Sequence, residues 1–482
     1  MGLPFRTLAP AVLAPLALLA GCAVGPTYVR APSVAAAPGW TEPASTADVQ
    51  AQWWTTLHDS VLDDLVETAL RRNLDLRQAE AQLREARANR AAAGAGGLPQ
   101  LAATGTATRN ELSENGEIPI GHIPGFSRNL DLYDVGFDAS WELDLWGRTR
   151  RSVQAAKARA GSAAEAARGV RLEVVAEVTR TYVDLRRTQA LLASARRDAE
   201  ARREAADLTA LRFAAGEASR SDVTRAGSAA MTATASLPGL VATARADAYA
   251  LATLTGRPPE ALIALAEQAA PLSAAPGPVG AGLRSDLLRR RPDVRQAERD
   301  LAAATADVGV AMADLFPSVT LVAGVGQQAQ KASDLTSGAS QRLQAGPSLS
   351  WPIFSAGRIK AQIRAANARA DAAGARYEKA VLTAFSDSET ALNRYAQASE
   401  RRRAADAAWR QAQLSLDLVR QRWESGEDDR LALLESESET STAEQAAIAA
   451  NADETTAFVA LQKALGGSVA PQAATAHQPS LR

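Results

Sequence analysis

Apolar residues along this chain keep two different periods. Leu62, Leu65, Val66, Ala69 and Leu70 hold helical spacing, and a second helical run extends from Leu74 to about Ala93, where Gly94, Gly96, Gly97 and Pro99 stop it. Between Tyr133 and Leu145 the period falls to two. Tyr133, Val135, Phe137, Ala139, Trp141, Leu143 and Leu145 share one face, and Asp134, Gly136, Asp138, Ser140, Glu142 and Asp144 share the other. This alternation is long for a soluble strand and sufficient for a tilted membrane strand of about 9–11 residues. Tyr, Phe and Trp on the apolar face suit an aromatic girdle and favour a membrane barrel over a soluble sheet. The alternation returns more weakly at Val319, Leu321, Ala323 and Val325, and at Leu343, Ala345, Leu349, Trp351 and Ile353. With Leu101 to Arg109 this predicts four strands in two hairpins, about 98–145 and 316–354, with polar loops near 110–130 and 331–340.

Residues 147–215 and 357–425 lack strong helix breakers, and at 1.5 Å per residue each run makes a helix of about 100 Å. Ala155, Ala156, Ala158, Ala163, Ala166 and Ala167 let neighbouring helices approach closely. Gly216 and Gly426 stand where a left-handed residue ends a helix, and Ser221 or Asp222, and Asp428 or Asp429, are candidate caps for the returning helices. Leu237-Pro238-Gly239 predicts an interruption of the first returning helix, whereas its counterpart near Ala447 has no breaker.

The pattern is written twice. Arg77-Gln78-Ala79-Glu80 and Leu98-Pro99 return as Arg295-Gln296-Ala297-Glu298 and Phe316-Pro317, a shift of 218 positions. Trp141, Gly147-Arg148, Arg212-Phe213 and Gly216-Glu217 return as Trp351, Gly357-Arg358, Arg422-Trp423 and Gly426-Glu427, a shift of 210. A tandem duplication follows, with internal pseudo-twofold symmetry. The copies occupy residues 51–256 and 284–466, joined by an Ala-, Pro- and Gly-rich connection over 257–283.

Composition narrows the function. With 53 basic and 54 acidic residues, the net charge of −1 gives no overall field for nucleic acid, which is excluded as a partner. His58, His122 and His477 are scattered without ligand spacing, and Cys22 is the sole cysteine, so neither a metal site, a cofactor nor an enzyme is expected. Residues 1–21 read as a signal peptide, with Arg6 before a short apolar run that ends at Leu19-Ala20-Gly21-Cys22. That ending resembles the bacterial lipoprotein box, making Cys22 the lipid attachment site; residues 22–50 then form an extended tether, and 467–482 a disordered tail. No other stretch is long and apolar enough to span a membrane as a helix, so strands must do so. Four strands cannot close a barrel, which requires about eight. The chain must oligomerise: three copies supply twelve strands with a lumen, two supply eight around side chains. Asp134, Asp138, Glu142 and Asp144 then face the lumen and favour cations.

Trp53-Trp54 followed by Asp59 and Asn73-Leu74-Asp75-Leu76, the block Trp141 to Arg148, and above all Arg290-Arg291-Pro292-Asp293-Val294-Arg295-Gln296-Ala297-Glu298 resemble the TolC-like outer-membrane efflux proteins, in their OprM and NodT lipoprotein branch. The resemblance covers about residues 50–467. It implies a mainly α fold with a transmembrane β-barrel: a homotrimer whose twelve-stranded barrel sits in outer-membrane lipid of a Gram-negative bacterium and continues as a long periplasmic α-helical barrel. It further implies a periplasmic adaptor, an inner-membrane resistance-nodulation-division pump, and passive export of small molecules such as drugs. Phe213, Gly216, Glu217, Trp423, Gly426 and Glu427 map onto the periplasmic turns expected to dock the adaptor. Asp207, Asp417, Arg420, Leu414 and Leu418 are candidates for the periplasmic gate. Alternatives are the outer channel of a type I protein secretion system and, less consistent with the motifs, a structural coiled-coil envelope lipoprotein.

Overall fold

A computed structural model describes residues 23–29, 39–42, 45, 47, 49–113, 127–277 and 279–467. Cys22, the signal peptide, residues 468–482 and the loop containing His122 lie outside the described residues. The elements in order are α1 (Ser60–Arg72), α2 (Leu74–Ala95), β1 (Gln100–Glu111), β2 (Asn129–Leu143), α3 (Arg148–Ala214), α4 (Arg220–Leu254), α5 (Ile263–Glu267), α6 (Arg284–Arg290), α7 (Pro292–Ala313), β3 (Ser318–Ala329), β4 (Gln341–Ser350), α8 (Arg358–Glu424) and α9 (Arg430–Ala464). The duplication is reproduced in element lengths: α3 and α8 have 67 residues each, α4 and α9 have 35, and α2 and α7 have 22. The chain divides into two units, one of residues 1–32, 84–162 and 298–376, the other of residues 33–83, 163–297 and 377–482.

The first unit carries an antiparallel sheet in the order β1-β2-β3-β4. Its central pair joins the two copies, with Gly136 opposite Gly326 and Trp141 opposite Leu321. Strand β2 ends at Leu143, so Asp144 is not a strand residue. Its carboxylate accepts from the backbone N–H of Thr149 at 3.0 Å and of Arg150 at 2.9 Å, satisfying free donors at the start of α3. Strand β4 likewise ends before Trp351 and Ile353, because Pro352 has no N–H to donate. The first residues after the expected anchor are docked rather than loose: the Val24 N–H donates to the Trp146 carbonyl at 3.0 Å.

Two further expectations yield to the structure. Helix α4 runs unbroken through Pro238. Pro238 and Gly239 are exposed, so the carbonyl deprived of its partner stays hydrated. The cap of α4 is Ser219, whose hydroxyl accepts from the Asp222 N–H while the Asp222 carboxylate accepts from the Ser219 N–H at 3.0 Å, a reciprocal capping box. Asp429, the equivalent of Ser219, caps α9.

The second unit holds the main apolar core. Trp53, Trp54 and Leu57 join Leu62, Leu65, Val66 and Ala69 of α1, Val175, Val178 and Leu185 of α3, Leu251 of α4 and Phe458 of α9. Trp53 is fully buried and meets Phe458 edge-on, ring centroids 5.8 Å apart. Asp59 caps α1 through the Val61 and Leu62 N–H groups and accepts from the Tyr182 hydroxyl at 2.6 Å. Tyr182 in turn accepts from Arg186 Nε at 2.9 Å. These two tryptophans, which open the sequence block that carries the family resemblance, are the seat of this core.

The same unit stores a strained acid. Burial, and then the neighbouring Asp184 carboxylate, push Asp247 of α4 up to about 6, against a weak hydrogen bond from Thr188 at 3.5 Å and the attraction of Arg180. An acid whose folded pKa is raised holds its proton better in the folded state, so stability falls as pH climbs from about 4 to 6 and stays lowered above. Asp247→Asn is expected to stabilise the protein by about 1 kcal/mol at pH 7.5, after discounting for solvent screening, and by nothing at pH 3.5. Thermal melts of both proteins at the two pH values check this.

Candidate functional site: the sheet faces and the helical tips

The apolar face of the sheet is exposed over several strands. Val135, Phe137 and Trp141 of β2 stand beside Leu321 and Val325 of β3, Leu343 and Leu349 of β4 and Leu101 of β1, and all are solvent-exposed in the single chain. A patch of this breadth requires a partner or lipid. Trp141 donates its indole N–H to the Gly97 carbonyl at 2.9 Å, and Trp351 does the same to Leu315 at 3.2 Å. Each ring thus keeps its polar atom bonded while its apolar surface stays outward, as an interfacial aromatic does. Among the described residues β1 pairs only with β2, and β4 only with β3, leaving two edges with unpaired backbone groups.

The polar face is less acidic than its β2 residues suggested. Arg342 of β4 reaches across β3 to Asp134 at 2.8 Å and Asp138 at 3.6 Å. Glycines make the path. A Cβ on Gly324 would stand 2.7 Å from Asp138 Oδ1 and 3.1 Å from Arg342 Nη1, and one on Gly136 would lie 2.6 Å from the Val325 carbonyl. Asp134 also accepts from Gln328 at 2.9 Å, and Asp138 from Thr104 at 2.7 Å. Glu142 lies 3.8 Å from Arg148. The expected run of four bare carboxylates is therefore three strand carboxylates, each facing a cation, and one helix-capping Asp144. Arg342 was legible only through register: it shares the polar face of β4 with Gln344 and Ser348 and stands opposite Gly326.

The two helical turns are built alike. In the first, Gly216 adopts φ +83° and donates to the Phe213 carbonyl at 3.0 Å, while Glu217 N–H reaches back to Arg212 at 2.8 Å. In the second, Gly426 at φ +80° donates to Trp423 at 3.0 Å and Glu427 to Arg422 at 2.8 Å. This is the six-to-one closure that a left-handed residue permits. Phe213 is 45% exposed and Trp423 38%, so both turns present an aromatic ring outward. The turns are tied together: Arg212 donates to Asp429 at 2.9 Å, and Arg430 binds Glu204 through two hydrogen bonds of 2.8 Å while lying 5.3 Å from the Trp423 ring centroid.

The five gate candidates are split between helices. Asp207 is exposed on α3 and makes no ion pair among the described residues. On α8, Leu414 and Leu418 are 54% and 53% exposed, one turn apart, with Asp417 on the same stripe. Arg420 stands 3.8 Å from Asp417 and 3.9 Å from Glu437, loose pairs worth about 0–1 kcal/mol. Leu414 and Leu418 are left exposed on this stripe, and among the described residues Asp417 beside them meets only the loose Arg420 pair.

Comparison with known proteins agrees across nearly the whole chain. The family profile described as outer membrane efflux protein matches residues 65–257 and 283–467, one stretch per copy. Nodulation protein T of Rhizobium leguminosarum bv. viciae is 32% identical over 481 residues, covering 98% of this chain and 96% of its own. The pyoverdine export outer membrane protein OpmQ of Pseudomonas aeruginosa is 34% identical over 417 residues, covering 86% and 87%. The solved outer-membrane channel OprN superposes with a TM-score of 0.82 at 35% identity, covering 92% of this chain and 99% of that one. With its duplicated strand hairpins, paired helical tips and these matches, the chain belongs to the outer membrane efflux protein family and is an outer-membrane channel of TolC-like fold.

Proposed function

We propose that this protein works as a homotrimer, a passive conduit that passes small molecules from an inner-membrane pump and its periplasmic adaptor through the outer membrane. The observation that carries the reading is the sheet: four strands with an exposed apolar face and two unpaired edges, which three copies can close into one barrel. The small-molecule cargo rests on relatives whose names specify pyoverdine export and efflux of toluene and antibiotics. Transport runs downhill through the channel, and an upstream pump provides the drive.

In this reading the α8 stripe of Leu414, Asp417 and Leu418, with Arg420 and with Asp207 of α3, narrows the lumen near the tips. The aromatic turns at Phe213, Gly216 and Glu217 and at Trp423, Gly426 and Glu427 receive the adaptor, and the Asp134, Asp138 and Glu142 face lines the barrel. Cys22 carries the acyl anchor.

In planar bilayers the purified protein is expected to conduct weakly, and the triple variant Asp207→Asn, Asp417→Asn, Arg420→Ala to conduct severalfold more. Silence from both proteins contradicts the conduit. Gly426→Val places a β-branched residue at φ +80°, at a cost of about 1–2 kcal/mol confined to the tip. It is expected to abolish drug resistance in cells that depend on this channel while leaving bilayer conductance intact. Unchanged resistance removes the docking role from that turn.

A further inference from the structure

The first unit contains a cavity of about 410 Å³ between α3, α7 and residues 27–28. Three cations border it: Arg151 and Lys157 of α3 and Arg299 of α7. Arg151 is 4% exposed, yet its guanidinium meets only neutral acceptors. It donates to the carbonyls of Val24 at 3.1 Å and Gly25 at 2.9 Å, to the Thr27 hydroxyl at 3.3 Å and to the Gln154 side-chain oxygen at 3.0 Å. Among the described residues no carboxylate pairs with Arg151 or Lys157, and Arg299 faces Glu298 at 3.2 Å. A buried arginine without a counter-charge is costly, and beside two further cations it marks a place for an anion.

The space itself is made by small residues. Ala158, Gly161, Ala302 and Ala306 line it, and a Cβ on Gly161 would stand 3.2 Å from Arg299 Cδ. The roof is the docked segment after the anchor. Gly25 at φ +89° packs so closely that a Cβ there would lie 2.5 Å from Gly309 Cα, and Tyr28 donates to Glu298 at 3.2 Å. Ala23 packs against Gly147, four residues past the end of β2.

We propose that this cavity binds the phosphate of an anionic phospholipid headgroup, with Arg151, Lys157 and Arg299 supplying the charge and the alanine-lined wall accepting the glycerol end. The inference rests on the reading that the sheet spans the outer membrane, which sets this end of β2 at the headgroup level of the inner leaflet. Arg151 then has two tasks: it clamps residues 24–27, and it leaves its charge for the lipid.

The full-length lipoprotein in non-ionic detergent tests this by thermal melting with phosphatidylglycerol, phosphatidylcholine or inorganic phosphate added. Phosphatidylglycerol is expected to raise the Tm by a few degrees and phosphatidylcholine to leave it unchanged. Lys157→Glu, at an exposed position, and Lys157→Gln with Arg299→Gln should each remove most of the shift. Equal shifts with phosphatidylcholine, or a shift retained in both variants, overturn the proposal; an equal shift with inorganic phosphate overturns the lipid headgroup and leaves a free-anion site. Bilayer conductance of Lys157→Glu should equal that of the parent, so a failure of the conduit reading registers in conductance and a failure of the lipid site in the melts.

Discussion

A lipid bilayer offers no hydrogen-bond partner to backbone groups, and this constraint governs the molecule. A four-stranded sheet satisfies its interior strands and leaves the outer sides of β1 and β4 unmet. In water such edges are hydrated at little cost; in hydrocarbon each unpaired group costs several kcal/mol. The exposed run of Leu101, Val135, Phe137, Val325 and Leu343 shows that this sheet is not built for water. Only closure with strands from other copies meets both demands. The duplication serves that end, because each copy contributes one hairpin and the β2–β3 pairing fuses them into one continuous segment of wall.

The helices face a different balance. Their apolar positions are mostly alanine, which permits close approach but supplies little bulk to bury. Polar pairs between copies make up part of the difference. Ser194 of α3 lies 3.0 Å from the Ser441 hydroxyl of α9 and donates to Glu444 at 2.6 Å, Ser438 donates to Asp198 at 2.7 Å, and Arg430 forks onto Glu204. Buried, fully met bonds such as Ser194 to Ser441 contribute about 1 kcal/mol each, whereas exposed ion pairs contribute less. Such polar contacts fix the register of α3 against α9, whose alanine surfaces would otherwise slide.

Much of this was legible in the sequence. Strict period-two alternation located β2 to within a few residues, and the shifts of 218 and 210 foretold equal helices at equivalent places. Gly216 and Gly426 read correctly as helix ends because left-handed backbone is a local demand that glycine meets without steric cost. Ser219 was missed although the repeat pointed to it, since Asp429 lies 210 positions further on. Pro238 was over-read, because a proline's effect depends on whether the orphaned carbonyl reaches water, a property of the packed helix. Arg342 was invisible to a reading of β2 alone. Its meeting with Asp134 and Asp138 is set by strand register, and register emerges only when the hairpins pair. The same holds for Arg151, whose acceptors at Val24, Gly25 and Thr27 lie more than a hundred residues earlier in the chain.

The central claim is that the two free edges of the sheet meet those of neighbouring copies in a closed ring of three. Cysteine pairs, one on β1 between Leu101 and Thr108 and one on β4 between Leu343 and Leu349, test it when oxidised in outer-membrane preparations. The account predicts that at least one pair yields a covalent trimer with no larger ladder, while each single cysteine stays monomeric. Covalent dimers as the end product, an open-ended ladder, or monomer from every pair would contradict it.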